Sequence, residues 1–214
     1  MAALTLARAY QHSLDAHPNI TLAVTGGSLN ALGDVVAQVA QLKLGTLKHD
    51  DLPNKYDLAR TFRFFCFGFT ISPFMGRWNT LLERRFPLRA FGSTSRISYK
   101  ALGKRLASDQ LIMAPAGLIF FIGSMGAMEG RSIDQIRQRY MDIFPTALLA
   151  NWKVWPLAQL INFRYMPLPY RVPFIQSCGV FWTLYLSLLN SEEDIKQDQV
   201  RDSVREKQTK SRTS

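Results

Sequence analysis

The chain has 214 residues, enough for one ordinary domain or two small ones. With 47 % hydrophobic, 12 % aromatic and only 20 % charged residues, its bulk is too apolar for intrinsic disorder, and two cysteines exclude a disulfide framework or a multi-cysteine zinc site. The net charge of +10 is concentrated: from Arg77 to Arg105 eight Lys or Arg face one acid, Glu83, which supplies +7.

The N-terminal stretch places Leu4, Leu6, Ala7, Tyr10 and Leu14 on one face of a short amphipathic helix ending near His17-Pro18. It lacks the long apolar region and cleavage site of a secretory signal, and is poor in Arg for a mitochondrial presequence. Segment one, about Ile20 to Leu42, is uncharged except for Asp34 and rich in small residues. Gly27/Ala31 and Gly33/Ala37 have the small-xxx-small spacing that lets helices approach closely in lipid. Asn30, Asp34 and Gln38 recur every fourth residue and share a face. A carboxylate in a spanning helix costs about 2.5–3.5 kcal/mol on insertion scales, so it must face protein or water. Two readings stay open here: a satisfied interhelical ladder, or a polar stripe along a water path.

Segment two, about Leu58 to Trp78, has Arg60 and Arg63 near one end and Arg77 at the other, and Pro73 is expected to break or kink it. The basic stretch 77–105 reads as a loop held on the insertion side, suited to anionic head groups. Its cations are not interleaved with an aromatic platform, which argues against nucleic acid. Segment three runs from Asp109 to Met128, with 19 uncharged residues from Gln110 onward; Glu129-Gly130-Arg131 stops it. Segment four, Ile143 to Phe163, puts Asn151, Trp155, Gln159 and Asn162 on one face. Pro145 falls near its start, and Pro156 inside it leaves the Trp152 carbonyl without its helical partner. Lys153 in mid-run leaves open whether the segment spans or lies at the interface. A proline-punctuated link, 166–173, leads to segment five, Phe174 to Asn190. Cys66 and Cys178 lie in apolar runs and are expected as buried free thiols.

A bilayer core needs roughly 20 helical residues. Several segments reach or approach that length, with little strand signal, so the chain reads as an all-α integral membrane bundle rather than a soluble one. Four helices are expected to span, with the Pro-kinked fourth segment interfacial or spanning. Residues 1–190 form a single membrane domain and 191–214 a charged tail, frayed or disordered. With four spans, the N-terminus, the basic stretch and the C-terminus share a side. The three His are scattered, and no nucleophile elbow, P-loop, dinucleotide fingerprint or zinc-protease motif is present. No enzyme activity, cofactor or metal is expected.

The polar words in these apolar segments resemble those of the Mpv-seventeen / peroxisomal membrane protein family, small integral membrane proteins of peroxisomes and the mitochondrial inner membrane. The run Asn151 to Phe163 (NWKVWPLAQLINF), followed by Pro167 and Arg171, resembles the family's N-W-x-x-W-P-x-x-Q-x-x-N-F box. Trp182 to Ser187 (WTLYLS) is similar to its closing word. Asp109-Gln110 with Pro115, Glu129-Gly130, and Gly33-Asp34 with Ala37-Gln38 fit further words. The chain departs at 72–79 (SPFMGRWN), where the family's His and Tyr are absent; Met166 replaces a Val and Thr183 an Asn.

The resemblance implies a four-helix membrane protein, with or without an extra interfacial helix, that acts as a weakly selective channel for small solutes or as a factor maintaining organelle metabolism and mitochondrial DNA. Asn30, Asp34, Gln38, Asn151, Gln159 and Asn162 are the suspected pore-lining residues. Trp152, Trp155, Pro156, Pro167, Arg171 and Trp182 are the structural residues of the box. The alternative is a non-conducting scaffold whose polar residues only lock helices together. Expected partners are the bilayer, small solutes and, optionally, further copies of the chain; the compartment leans slightly to the peroxisome.

Overall fold

In the computed structural model, which describes residues 2–45, 55–88 and 97–184, small residues decide which helices touch. Helix α1 is Ala2–Ala16, α2 is Pro18–Gly45 and α3 is Leu58–Arg85. Helices α2 and α3 pack antiparallel along a glycine seam: a Cβ on Gly26 would overlap the Ser72 side chain, one on Gly76 would overlap Leu22, and one on Gly68 would strike the Gly26 carbonyl and Asn30. Close approach of this kind takes the place of hydrophobic burial, which drives little association between helices in lipid.

Asp57 starts α3, its carboxylate accepting from the Arg60 N–H at 2.9 Å. The helix continues through Pro73 to Arg85, so the break expected at Pro73 does not occur. A single proline removes one hydrogen bond and leaves the rest of the ladder to carry the helix. The basic stretch is largely helical rather than a loop: α3 holds residues 77–85, α4 is Tyr99–Ser108, and 89–96 lie outside the described residues.

Helix α4 runs through a π turn, Asp109–Met113, directly into α5, Ala114–Met128. Pro115 has no N–H and crowds the preceding turn, and the Ala114 N–H bonds back five residues to the Asp109 carbonyl. Segment three therefore begins ten residues earlier than its apolar run suggests, at Tyr99. Gly130, at φ +70°, ends α5: its N–H reaches the Ala127 carbonyl, and the Arg131 N–H reaches Gly126. Ser132 and Gln135 then form a reciprocal capping box for α6, Ile133–Tyr165.

Helix α6 has 33 residues, about 50 Å of rise, with Pro145 well inside it rather than near its start. It runs antiparallel to α5 over the whole pass. A Cβ on Gly126 would meet Ile136 at 2.8 Å, and at the other end Gln159 reaches Asp109. A short 3₁₀ turn, Leu168–Tyr170, leads into α7, residues 171–184. Helix α7 lies on α2, with Val180 3.7 Å from a Cβ placed on Gly33.

Because α6 runs back along the α4–α5 rod, the N-terminus of α2, the end of α3 and the 168–170 turn share one end of the bundle, and residue 184 lies toward the other. Residues 185–190 and the charged tail lie outside the described residues.

Burial is inverted relative to a water-soluble bundle. Asp34, Ser72, Arg105, Asp109, Asn162 and Arg171 are buried, while Leu58, Phe62, Leu111, Leu157 and Phe181 are exposed. Among the described residues two helical stretches are long and apolar enough to cross a bilayer, Pro18–Lys43 and Tyr99–Met128, with mean hydropathy 1.3 and 1.9. Cys66 and Cys178 are free but only partly buried, because their helices turn apolar faces outward.

Candidate functional site

Among the described residues, most buried polar side chains gather into three clusters; Ser72, which accepts from Gln176 Nε2 at 2.6 Å, lies apart. The first ties α2 to the start of α3. Asp34 is 1 % exposed. Its Oδ2 accepts from Gln38 Nε2 and from Thr61 Oγ1, each at 2.7 Å. Arg60 Nε lies 2.7 Å from Oδ1, an ion pair without hydrogen-bond alignment. Gln38 is used at both ends: its carbonyl accepts from the Asp57 N–H at 2.7 Å, and its amide also donates to the Asp57 carbonyl at 2.9 Å. Asn30 turns back on its own helix and donates to the Gly26 carbonyl at 2.9 Å. The i, i+4 spacing thus puts Asp34 and Gln38 in one lock, with Asn30 one turn beyond it.

The second cluster joins α3, the π turn and α6. Asp109, 3 % exposed, accepts from Trp78 Nε1 at 3.2 Å, Gln110 Nε2 at 3.1 Å and Gln159 Nε2 at 2.9 Å. Asn162 donates to Gln159 Oε1 at 2.9 Å, and Trp152 Nε1 donates to the Gln110 carbonyl at 3.0 Å. Gln110 Oε1, Asn151 Oδ1 and Asn162 Oδ1 are buried and find no donor among the described residues. The π turn creates this site, because the extra residue in the turn rotates Asp109 and Gln110 together toward α6.

The third cluster lies at the basic end. Glu83, the lone acid of that stretch, receives Arg105 Nη1 and Arg171 Nη1, both 2.7 Å from Oε2. Arg105 is wholly buried and also donates from Nε to the Phe86 carbonyl at 2.8 Å; Arg171 donates to the Met166 carbonyl at 3.2 Å. Leu82, Leu102 and Phe163 pack beside them. Burial pushes the Glu83 carboxyl up, but the two guanidiniums outweigh it and hold it below the usual carboxylate value. Burial pulls Arg171 below its ordinary value.

Of the suspected pore residues, Asp34 and Gln38 fall in the first cluster and Gln159 and Asn162 in the second, with Asn151 about two turns back along α6; no hydrogen bond among the described residues joins the two stripes. Among the box residues, Trp155 packs against Gly179 of α7, Pro156 lies inside the unbroken α6, Pro167 accepts from the Tyr170 N–H, and Trp182 is half-buried. Sequence reasoning over site residues missed Asp109 and the Glu83–Arg105 pair. Both left a signal: one is the charge that opens a 19-residue uncharged run, the other the single acid among eight cations.

No solved structure matches the chain. The model of the Mpv17 / PMP22 family matches residues 126–187, which hold α6, the 168–170 turn and α7. The chain is 33 % identical to Protein sym1 of Schizosaccharomyces pombe over 191 residues, covering 85 % of this chain and 89 % of that one. It is 36 % identical to Protein SYM1 of Saccharomyces cerevisiae over 190 residues, with coverage of 88 % and 92 %. It is 34 % identical to PXMP2/4 family protein 3 of Dictyostelium discoideum over 184 residues, with coverage of 86 % and 90 %. With near full-length relatives at this identity, and with polar residues buried and apolar ones turned outward, the chain belongs to the Mpv17 / PMP22 family of membrane proteins.

Proposed function

We propose that the protein is a multi-pass organelle membrane protein that conducts small solutes with weak selectivity, without enzymatic chemistry. One observation carries this reading. Among the described residues the carboxylate of Asp109 is held by neutral donors alone, and the buried acceptor oxygens of Gln110 and Asn162 in the same network lack a donor, as does that of Asn151 farther along α6. Buried acceptors of this kind are satisfied by water. A hydrated, negatively polarised interior between α3, the π turn and α6 suits passage of small polar solutes. In this reading α2, α3, the α4–α5 rod, α6 and α7 all cross, and copies of the chain are free to associate through their apolar faces.

The non-conducting scaffold is favoured by a different observation: the Asp34–Gln38–Thr61–Arg60 lock is closed on itself and ties two helices together. We therefore assign Asp34 to assembly and Asp109 to the path. The compartment is proposed as a peroxisomal or mitochondrial inner membrane. A lean toward the peroxisome gains nothing from relatives that carry the name SYM1.

Purified protein in liposomes, assayed for release of small sugars and organic acids, tests the reading. Release above that of empty liposomes supports conduction. Liposomes that stay sealed with correctly inserted protein would leave the scaffold as the function.

A further inference from the structure

The cleft where α1, α2, α3 and the 168–170 turn meet takes no part in the polar clusters. It encloses about 500 Å³ and is walled by Leu14, Leu22, Pro73, Leu81, Leu168 and Pro169. Arg77 and Arg84 line the same cleft. They stand seven residues apart on α3, two turns and about 10 Å along one face. Both are exposed, and neither has an acidic partner among the described residues.

The walls are fixed by side chains from distant parts of the chain. Tyr10 donates to the Pro169 carbonyl at 2.9 Å, its ring lies 5.7 Å from that of Tyr170, and Ser13 bonds Thr21 across the α1–α2 corner at 2.8 Å. Burial and the neighbouring Tyr170 push the Tyr10 hydroxyl up to about 12, so it stays a neutral donor at any physiological pH.

The occupant must satisfy both halves of the site. A free anion would leave the apolar walls uncovered, and a plain hydrocarbon would leave two guanidiniums unmatched. Arg77 closes the uncharged run 64–76, so the cleft lies where α3 passes from apolar to charged sequence, at head-group depth. We infer that this cleft binds an anionic phospholipid, its phosphate held by Arg77 and Arg84 and an acyl chain laid against Leu22, Pro73 and Leu81. The inference is independent of whether the protein conducts.

Native mass spectrometry of the full-length protein in detergent tests it, with phosphatidylglycerol and phosphatidylcholine of matched chains as probes. Phosphatidylglycerol should be retained preferentially, and Arg77→Gln/Arg84→Gln should lower that retention about tenfold or more. Lys100→Gln/Arg137→Gln removes the same charge from exposed sites elsewhere and should leave it unchanged. Equal retention of both lipids, or equal loss in both double variants, would overturn the site in favour of diffuse electrostatics. Displacement of phosphatidylglycerol by excess inorganic phosphate would overturn it in favour of a free-anion site. Should the arginine variant not fold, Leu81→Gln, at an exposed wall position, should lower phosphatidylglycerol retention severalfold; unchanged retention there also overturns the proposal.

Discussion

Asp34 and Asp109 are buried to nearly the same degree, yet the protein treats the two carboxylates differently. Around Asp34 stand a guanidinium at 2.7 Å, a hydroxyl and an amide whose own remaining groups are spoken for by the start of α3. Around Asp109 stand an indole and two amides, with no ion pair among the described residues and with nearby oxygens left over. A counter-ion cancels the field of a buried charge, whereas neutral dipoles hold the charge in place and let its field extend into the surroundings. The first arrangement suits a rivet between helices, the second a polar interior.

The comparison breaks most visibly at Asp34. Asp34→Leu strands Arg60, Thr61 and Gln38 and should cost roughly 3–5 kcal/mol, seen as loss of monodisperse protein in detergent. A variant that stays monodisperse with an unchanged melting temperature would show that the lock does not hold α2 to α3. Asp34→Asn keeps the shape and should leave any flux selectivity as it was; a changed selectivity would return Asp34 to the path.

Glu83 offers a third carboxylate, now with two cations. Its folded-state value lies below the ordinary 4.5, so the stability it contributes is present above that value and is lost as pH falls through the folded one. The melting temperature should drop on acidification below about pH 4.5, and Glu83→Gln should flatten that drop. The substitution itself should cost about 1–3 kcal/mol at neutral pH, because the buried Arg105 loses its counter-ion and is left with neutral acceptors, the Phe86 carbonyl among them. An identical acid transition in the variant would assign it to other groups.

Asp109→Asn should cost about 1–2 kcal/mol, since an amide oxygen in the Oδ2 place still accepts from Gln110 and Gln159 and only the Trp78 bond is lost. Its effect belongs in liposome flux, where cation preference should fall relative to the wild type. Unchanged preference in well-inserted protein would remove Asp109 from the path. Gln159→Leu, harmless if α6 carried only a plain kink, is not a neutral change here, because it takes a donor from a buried carboxylate. Asn151→Leu should have the smallest structural effect, near zero in melting temperature, because its Oδ1 has no partner, and should lower flux if that oxygen lines the path.

Epitope tags at the two termini probe the same architecture. In the proposed arrangement, with five crossings, N- and C-terminal tags should be accessible from opposite sides of the membrane. Tags on one side would overturn the five-crossing arrangement in favour of an even number.

Residue order alone determined the all-helical character, the apolar segments and the stripes on α2 and α6, because helical periodicity is a local property. The caps at Asp57 and Ser132 and the stop at Gly130 are local in the same way. The small-xxx-small spacings announced close helix contacts without naming the partners: Gly27 meets Phe65 of α3, and Gly33 meets α7. Folding decided how prolines act, since Pro73 and Pro156 lie in unbroken helices while Pro115 follows a π turn. It also decided which charges meet. Glu83 is 22 residues from Arg105 and farther still from Arg171, and Asp109 is 50 residues from Gln159. Such pairings depend on how α3, α5 and α6 cross, and crossing is set by side-chain packing over whole helix faces, which no local pattern encodes.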